Sequence, residues 1–352
     1  MKRFDSHIHY AATLGDTVLE SILEQSETAV CALQCIHQQG ICSTVPDTLR
    51  YKASRPRGTV YVQGSLERSA YVIYEHDSKG LGDSLVRQTR ALLRAGCDGV
   101  KLLEGKPDIR RAFPVPDFDS PAWEPFWELA ESHEIPLTMH VNDPEDFWDE
   151  TKINPYARSA GWFYGPETIN NEEQYRQMDQ VLRRHPGLKF QLAHFYFFSA
   201  QLPRMAELMR TYPNVRIDLT PGIELYINLA RDISGARDFF NEFSGRILYG
   251  TDIGGRATIA LPPRPIDVQE SMARVRVITE FLERRGTYTL VPDGSYLFSI
   301  DPEPMEGLGL PEDMLQRIYY DNAIQFFGKS PRETDLEFTE YLRKEYKKGI
   351  DK

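Results

Sequence analysis

Features that mark several other classes of protein are absent or scarce in this chain of 352 residues. No run of about 18 apolar residues occurs, so no segment is expected to span a membrane. Positive charge is in deficit, because 41 Lys and Arg residues stand against 52 Asp and Glu residues, and the net charge is −11. A nucleic-acid-binding face needs clustered basic residues, so we expect no nucleic-acid partner. The first residues enter a strand-like segment without the apolar region of a signal peptide, and we predict a cytoplasmic protein.

Cysteine is also scarce, and its spacing carries no metal-binding or redox signal. The four cysteines include no Cys-x-x-Cys pair. Cys31 and Cys35 fall on one face of a predicted buried strand, where a thiol behaves as a small apolar group. A glycine-rich dinucleotide-binding motif is missing after every predicted strand, which argues against an open doubly wound sheet.

The chain does contain a regular alternation of strand-like and helix-like segments. Most of the strand-like segments are apolar without alternation, as is typical of parallel strands buried on both faces. They cover residues 2–9, 29–36, 59–66, 98–103, 135–141, 189–195, 215–220 and 246–252. Amphipathic segments between them include residues 83–96, 120–134, 171–187 and 202–214. This alternation predicts an α/β fold, a (β/α)8 TIM barrel, with a doubly wound sheet as the alternative.

A single metal-dependent barrel domain is expected over residues 1–352. The barrel would cover about residues 1–330, including a turn-rich segment at 287–310 and a helix near 311–328, and a C-terminal helical tail would cover 331–352. Two long loops, at 142–170 and 253–265, follow the fifth and eighth predicted strands, at the face where barrels build active sites. The first loop is rich in aromatic residues. These predict either a lid over an apolar substrate or a surface packed on a neighbouring subunit, and they are Phe147, Trp148, Tyr156, Trp162, Phe163 and Tyr164.

Five polar residues that can bind a metal stand at the predicted C-terminal ends of strands. His7 and His9 end the first strand, His140 the fifth, His194 the sixth and Asp252 the eighth. Residues i and i+2 of a strand point to the same side, and the first strand adjoins the eighth when a barrel closes. Histidines of strands one and five can therefore meet the carboxylate of strand eight. Three imidazole nitrogens and one carboxylate suit one divalent metal, with Zn²⁺ preferred and Mn²⁺ as an alternative.

At these residues the sequence resembles the amidohydrolase superfamily. The motifs that carry the resemblance are FDSHIHY at strand one, PLTMHVND at strand five, HPGLKFQLAHF at strand six and RILYGTDIGG at strand eight. The segment IYYDNAIQFFG at 318–328 resembles the closing helix of the amidohydrolase-related branch that includes aminocarboxymuconate semialdehyde decarboxylase. The resemblance covers residues 1 to about 330, and it is specific for the superfamily but not for one reaction.

The resemblance implies a role for each matching residue. His7, His9, His140 and Asp252 would be metal ligands, and Asp252 would also transfer a proton. His194 would lie beside the water that the metal activates, as a second catalytic residue. Asp5 would orient the ligand imidazoles.

Lys101 leaves the number of metals open. In binuclear members of the superfamily, a lysine on the fourth strand is carboxylated and bridges two metals, and here His194 would then be a ligand of the second metal. Alternatively, Lys101 binds a substrate carboxylate or pairs with Glu104.

Three functions follow from these residues. The first is a metal-dependent hydrolase that uses a metal-activated water on a small carbonyl-containing substrate that carries a carboxylate. The second is a metal-dependent lyase, a non-oxidative decarboxylase of an unsaturated or aromatic acid, and the third is a barrel that binds a ligand without turnover. Arg57, Arg158 and Arg256 are candidates for binding a substrate carboxylate. The resemblance is also compatible with a homodimer.

Overall fold

The computed structural model of the chain describes residues 1–12, 15–38, 42–222, 224–259, 264–290 and 303–350. Eight parallel strands form one sheet in which each strand pairs with the next one along the chain. They are β1 Arg3–Ile8, β2 Thr28–Gln34, β3 Val60–Ser65, β4 Gly99–Gly105, β5 Leu137–Val141, β6 Phe190–Leu192, β7 Val215–Asp218 and β8 Ile247–Leu248. The predicted (β/α)8 barrel is confirmed, because the strand order never reverses as it does in a doubly wound sheet.

The barrel closes where the segment after β8 meets β1. The Ser6 amide donates to the Tyr249 carbonyl at 2.9 Å, and the Asp252 amide donates to the His7 carbonyl at 2.8 Å. The His9 amide donates to the Ile253 carbonyl at 2.7 Å. Gly254 follows with a φ of +79°, and a Cβ at that position would lie 2.2 Å from the His9 carbonyl oxygen. Glycine is therefore required here, both for its backbone conformation and for the close approach of the two segments.

Helices connect the strands and surround the barrel. They are α1 Asp16–Gln25, α2 Val45–Ser54, α3 Ser69–Ile73, α4 Ser78–Ala95, α5 Pro107–Ala112, α6 Glu124–Ser132, α7 Pro155–Ser159, α8 Asn171–Arg184, α9 Leu202–Thr211, α10 Leu225–Arg231, α11 Ile233–Phe243, α12 Gly255–Ile259, α13 Val268–Glu283, α14 Glu312–Gln316, α15 Asn322–Phe327 and α16 Leu336–Ile350. Asp77 and Asn170 begin α4 and α8 by accepting a hydrogen bond from a backbone amide of the first turn. α4 ends at Gly96, which has a φ of +108°.

The C-terminal part of the chain contains more regular structure than the sequence predicts. Part of the segment predicted to be turn-rich, at 287–310, belongs to an antiparallel pair of strands, β9 Arg285–Leu290 and β10 Glu303–Leu308, and its residues 291–302 lie outside the described part of the chain. The helix predicted near 311–328 is divided into α14, a π-helical turn and α15. The tail forms α16, which lies against α2 and α4. Among the described residues, no helix is both long and apolar enough to cross a membrane.

The interior of the barrel holds a polar layer beneath its C-terminal face. Gln63 of β3 donates to the Thr138 hydroxyl at 3.0 Å, and this hydroxyl lies 3.3 Å from the side-chain oxygen of Gln191. The Gln191 amide in turn donates to Ser6 at 3.1 Å and to the Asp218 carboxylate at 2.8 Å. These residues are fully buried, and their mutual hydrogen bonds compensate for the loss of water. The layer therefore supports the residues above it from five strands.

Candidate metal centre

His7 and His9 are held with one ring nitrogen each directed at a common point. The Nδ1 atom of His7 lies 2.9 Å from an Asp218 carboxylate oxygen, and the Nδ1 atom of His9 lies 2.7 Å from the Gln34 carbonyl oxygen. Both partners are acceptors, so each Nδ1 carries the proton and each Nε2 presents a lone pair. The two Nε2 atoms are 3.2 Å apart. Two lone pairs at this distance repel each other unless a cation lies between them.

Asp252 completes this group with a negative charge. Its Oδ1 atom lies 3.1 Å from Nε2 of His9 and 4.0 Å from Nε2 of His7. Burial raises the pKa of Asp252, but its close contact with His9 and the charge of Arg274 outweigh burial and hold the pKa well below its usual range. Ligand atoms of His7, His9 and Asp252 all lie within 4.8 Å of one another. Two imidazoles and a carboxylate are the donor set of a divalent transition metal, so these residues fit such an ion.

Asp218 and Arg274 orient the three residues of this group. Asp218 lies at the end of β7 and accepts hydrogen bonds from the His7 ring, from Gln191 and from the His194 amide, the last at 2.8 Å. Arg274 of α13 lies 3.1 Å from the Asp252 oxygen that faces away from the histidines. Among the described residues, the Asp5 carboxylate accepts hydrogen bonds from the His7 amide at 3.1 Å and from the amide and hydroxyl of Thr251, but from no imidazole. The carboxylate that orients an imidazole is therefore Asp218, where we expected Asp5.

Lys101 reaches the same point from β4. Its Nζ atom lies 3.1 Å from Nε2 of His7, and its side chain is fully buried. Burial lowers the pKa of Lys101 to about 8. The alternative pairing with Glu104 is not formed as a contact, because the Glu104 carboxylate instead lies 3.8 Å from Arg68. Lys101 is thus the one predicted residue besides His9 and Asp252 that lies close to the Nε2 atom of His7.

His140 lies in the same cavity but outside the compact group of His7, His9 and Asp252. Its Nε2 atom is 3.2 Å from an oxygen of Asp143. The other Asp143 oxygen accepts from Lys106 at 2.5 Å and from the Tyr164 hydroxyl in a short hydrogen bond. Tyr164 belongs to the long loop after β5, so this loop is tied to the residue that holds His140.

His194 occupies an unusual backbone conformation. Residues 194–197 all have φ between +56° and +58°, in the left-handed region that costs about 1–2 kcal/mol per non-glycine residue. This turn stacks the rings of His194 and Phe197, with centroids 5.2 Å apart, and brings the His194 ring within 4.9 Å of the His140 ring. The Nδ1 atom of His194 is buried and has no hydrogen-bond partner among the described residues. Strain and an unsatisfied nitrogen at one residue are typical of a functional position.

The three predicted arginines differ in whether they line the cavity. Arg57 precedes β3, is 85% exposed and pairs with Glu333, and it does not line the cavity. Arg158 contacts Glu150 at the surface and does not line the cavity either. Arg256 does line it, beside Glu270 and the Tyr156 ring.

A cavity of about 560 Å³ opens above these residues. Three of the six aromatic residues singled out in the long loop line it, namely Phe147, Tyr156 and Trp162, which supports the lid interpretation. The cavity is also lined by charged residues that our sequence interpretation missed, including Arg68, Lys106, Asp143, Glu224 and Arg264. Asp218 and Arg274 were missed as well. Of these two, Asp218 could have been predicted from the sequence, because it lies near the end of a predicted strand, as His140 does.

Comparisons with known proteins agree with this architecture. The chain is similar in structure to an uncharacterized TIM-barrel protein from Bordetella bronchiseptica, with a TM-score of 0.55, 14% identity and coverage of 94% of this chain and 99% of that one. It is also similar to a putative 2-pyrone-4,6-dicarboxylic acid hydrolase from Pseudomonas putida and to 2,6-dihydroxybenzoate decarboxylase from Rhizobium. Each of these has a TM-score of 0.51, 15% identity and coverage of 93% of this chain and 98% of the other. No curated protein matches the chain.

The structural likeness at these identities establishes the fold, and the sequence itself establishes the family. A sequence model of the amidohydrolase family matches residues 81–329, which is well over half of the chain. This region contains His140, His194 and Asp252, three of the residues on which the predicted resemblance rests. The chain therefore belongs to the amidohydrolase family.

Proposed function

We propose that the protein is a metal-dependent hydrolase of a small carbonyl-containing substrate that carries a carboxylate. The observation that supports this most strongly is the fixed tautomers of His7 and His9, which direct two lone pairs and the Asp252 carboxylate at one point. A bound divalent ion would supply Lewis acidity to a substrate carbonyl and would lower the pKa of a water molecule in the cavity.

His7, His9 and Asp252 would hold the ion, with His140 as the proposed fourth ligand. Nitrogen ligands in this proportion favour Zn²⁺, with Mn²⁺ as the alternative. A second ion held with the help of a carboxylated Lys101 and His194 remains the alternative for the metal count. The buried position of Lys101, with Nζ 3.1 Å from His7, suits either arrangement.

The chain's own groups can orient the substrate and move its protons. Asp252 is ionised and can accept a proton from water, and Arg274 fixes its orientation at 3.1 Å. The unpartnered Nδ1 of His194 can form a hydrogen bond with an oxygen of the substrate, where negative charge develops during attack on a carbonyl. Arg68 and Arg256 both line the cavity and are the two candidates for binding the substrate carboxylate.

Decarboxylation is the second candidate, and the composition of the cavity favours it. Phe147, Trp162 and Phe197 line the cavity together with charged groups such as Arg256. An apolar wall removes water from a bound carboxylate, and cations such as Arg256 keep it in place. One of the proteins with a similar fold is named as a 2,6-dihydroxybenzoate decarboxylase.

Metal analysis and substrate turnover test the proposal together. The purified protein is analysed for metal per chain and then incubated with lactones, amides and aromatic acids. Hydrolysis products without CO₂ support the hydrolase, whereas CO₂ release without a water-dependent product supports the lyase. One equivalent of metal supports a single ion, and two equivalents support the binuclear alternative. Metal-loaded protein that turns over nothing across the whole panel would contradict both enzymatic proposals.

A further inference from the structure

Glu224 carries a buried carboxyl group that the proposed reaction does not use. It follows β7, immediately before α10, and it lines the same cavity as the metal centre. Both of its carboxylate oxygens are shielded from water, and neither has a hydrogen-bond partner among the described residues. Burial raises the pKa of Glu224 to about 7; an interaction with its own backbone amide opposes this shift, and the charges of Asp143 and Asp146 add to it. An unsatisfied buried carboxyl group costs free energy, so its presence in a cavity wall points to a ligand.

A second unsatisfied side chain lines the cavity on the other side. His37 follows β2, and neither of its ring nitrogens has a hydrogen-bond partner within the described part of the chain. The nearest carboxylate, that of Glu67, is 3.9 Å from the ring. Burial and the nearby charge of Arg68 hold the pKa of His37 well below its usual range, so the ring is neutral. Arg68 follows β3 and lines the cavity beside it.

The strand order places these two groups on opposite walls. β3 and β7 are four positions apart in a ring of eight strands, so Arg68 and Glu224 follow strands on opposite sides of the barrel. His37 and Arg68 offer hydrogen-bond donors and positive charge, whereas Glu224 offers a carboxyl group. A ligand that spans the mouth thus meets the Arg68 guanidinium and the His37 ring at one end and the Glu224 carboxyl group at the other.

We propose that Glu224 determines substrate specificity by binding a hydroxyl or amino group at the end of the substrate opposite the carboxylate held by Arg68 and His37. The substrate class is then a carboxylic acid with a hydrogen-bond donor at its far end. The proposal rests on the proposed function only in treating the cavity as the substrate site. It requires no bond to be made or broken at Glu224.

Binding of three related probes tests this proposal without turnover. Benzoate, 4-hydroxybenzoate and 4-aminobenzoate share a ring and a carboxylate, and only the last two carry a donor at the opposite end. Their dissociation constants are measured by isothermal titration calorimetry on the protein with its natural metal content. We expect both donor-bearing probes to bind the unmodified protein about tenfold more tightly than benzoate, the effect of one hydrogen bond to a carboxylate.

Variants separate a specific contact from a structural effect. In Glu224→Leu, the preference should disappear while benzoate binding is kept, and in Glu207→Leu, on the exposed face of α9, the preference should be unchanged. If Glu224→Leu does not fold, Glu224→Gln should reduce the preference at least about threefold, because its amide oxygen is a weaker acceptor. Equal affinity for the three probes in the unmodified protein, no binding of any of them, or a preference that survives in the variants would overturn the proposal. Absence of hydrolase activity would leave these binding results unaffected.

Discussion

Asp218 and Glu224 are two buried carboxyl groups near the C-terminal end of β7, and their hydrogen bonding is opposite. At the metal centre, Asp218 accepts hydrogen bonds from the His7 ring, Gln191, Thr220 and the His194 amide. Burial raises the pKa of Asp218, but the interactions with His7, His194 and Thr220 outweigh it and lower the pKa below its usual range. Six residues further along the chain, Glu224 lines the cavity and is similarly shielded from water, but it has no hydrogen-bond partner among the described residues, and its pKa rises to about 7.

The metal centre is therefore preorganised, whereas Glu224 has hydrogen-bonding capacity that a ligand can satisfy. A satisfied network fixes the positions of its members before any ligand arrives, which is what a metal centre needs. An unsatisfied group lowers the stability of the free protein and recovers that free energy when a complementary group binds. The four predictions that follow change either the metal centre and its supporting residues or Glu224, in order of expected effect.

The largest effect is expected from His9→Ala at the metal centre. It removes one of the two nitrogen atoms that converge with Asp252, so bound metal should fall from about one equivalent per chain to near zero. Elemental analysis of the purified protein measures this. His133→Ala, which changes a histidine at the end of α6, is the matched control and should keep its metal. A full equivalent of metal in His9→Ala would show that the ion lies elsewhere.

Arg274→Leu removes the cation that faces Asp252. Arg274 is 2% exposed and lies 3.1 Å from the Asp252 carboxylate, so its loss leaves a buried negative charge without that partner. Breaking such a pair costs about 3–5 kcal/mol, and the free energy of unfolding in urea should fall by this amount. Arg276→Leu, two residues further along α13 and exposed, supplies the control and should change stability little. Equal losses in both variants would contradict a special role for Arg274.

Asp218→Asn should weaken metal binding while the fold is retained. The amide cannot hold the His7 ring in the same tautomer as a carboxylate does. Outer-sphere changes of this kind typically cost about 10–100-fold in metal affinity. Competition with a chelator of known affinity measures the loss. An unchanged affinity would mean that Asp218 serves the polar layer of the barrel and not the metal centre.

Glu224→Gln should stabilise the protein, and only at neutral and alkaline pH. The ordinary pKa of 4.5 applies to the unfolded chain, and burial raises that of the folded protein to about 7. Between these values the folded state holds more protons, so its stability falls as the pH rises and then stays low above pH 7. The Glu224→Gln variant does not lose stability in this way as the pH rises. Its advantage in urea unfolding should be absent near pH 4.5 and reach about 1–2 kcal/mol at pH 8. An advantage that is independent of pH would contradict the assignment.

Much of the fold could be predicted because it depends on local patterns. Buried parallel strands leave apolar segments of characteristic length, and six of the eight predicted strands overlap the observed ones almost completely. β6 and β8 are shorter than predicted because the chain turns inward to present His194 and Asp252. The grouping of His7, His9 and Asp252 followed from strand ends and barrel closure alone.

The rest depends on side-chain partners that are distant in sequence. The pairing of Arg274 with Asp252 joins a helix to a loop, and no periodicity predicts which arginine of α13 points inward. The contact between His140 and Asp143 similarly depends on a local turn after β5. Of the candidates Arg57, Arg158 and Arg256, the first two do not line the cavity, because position along a loop does not determine which side chains enter it. The left-handed turn at 194–197 has no sequence signal, since none of its residues is glycine.

The closure of the barrel has a consequence for how the protein would respond to losing metal. Two of the three hydrogen bonds described above that join β1 to the segment after β8 involve the backbones of His7, His9 and Asp252. An ion held by their side chains would therefore cross-link the first and last strands of the barrel, at a junction where β8 contributes only two residues of regular strand. Without it, the amide protons of His9 and Asp252 should exchange with solvent faster than those of β3 and β4, which lie on the far side of the barrel. Hydrogen-exchange measurements with and without chelator would test whether the barrel opens at the junction between β1 and the segment after β8.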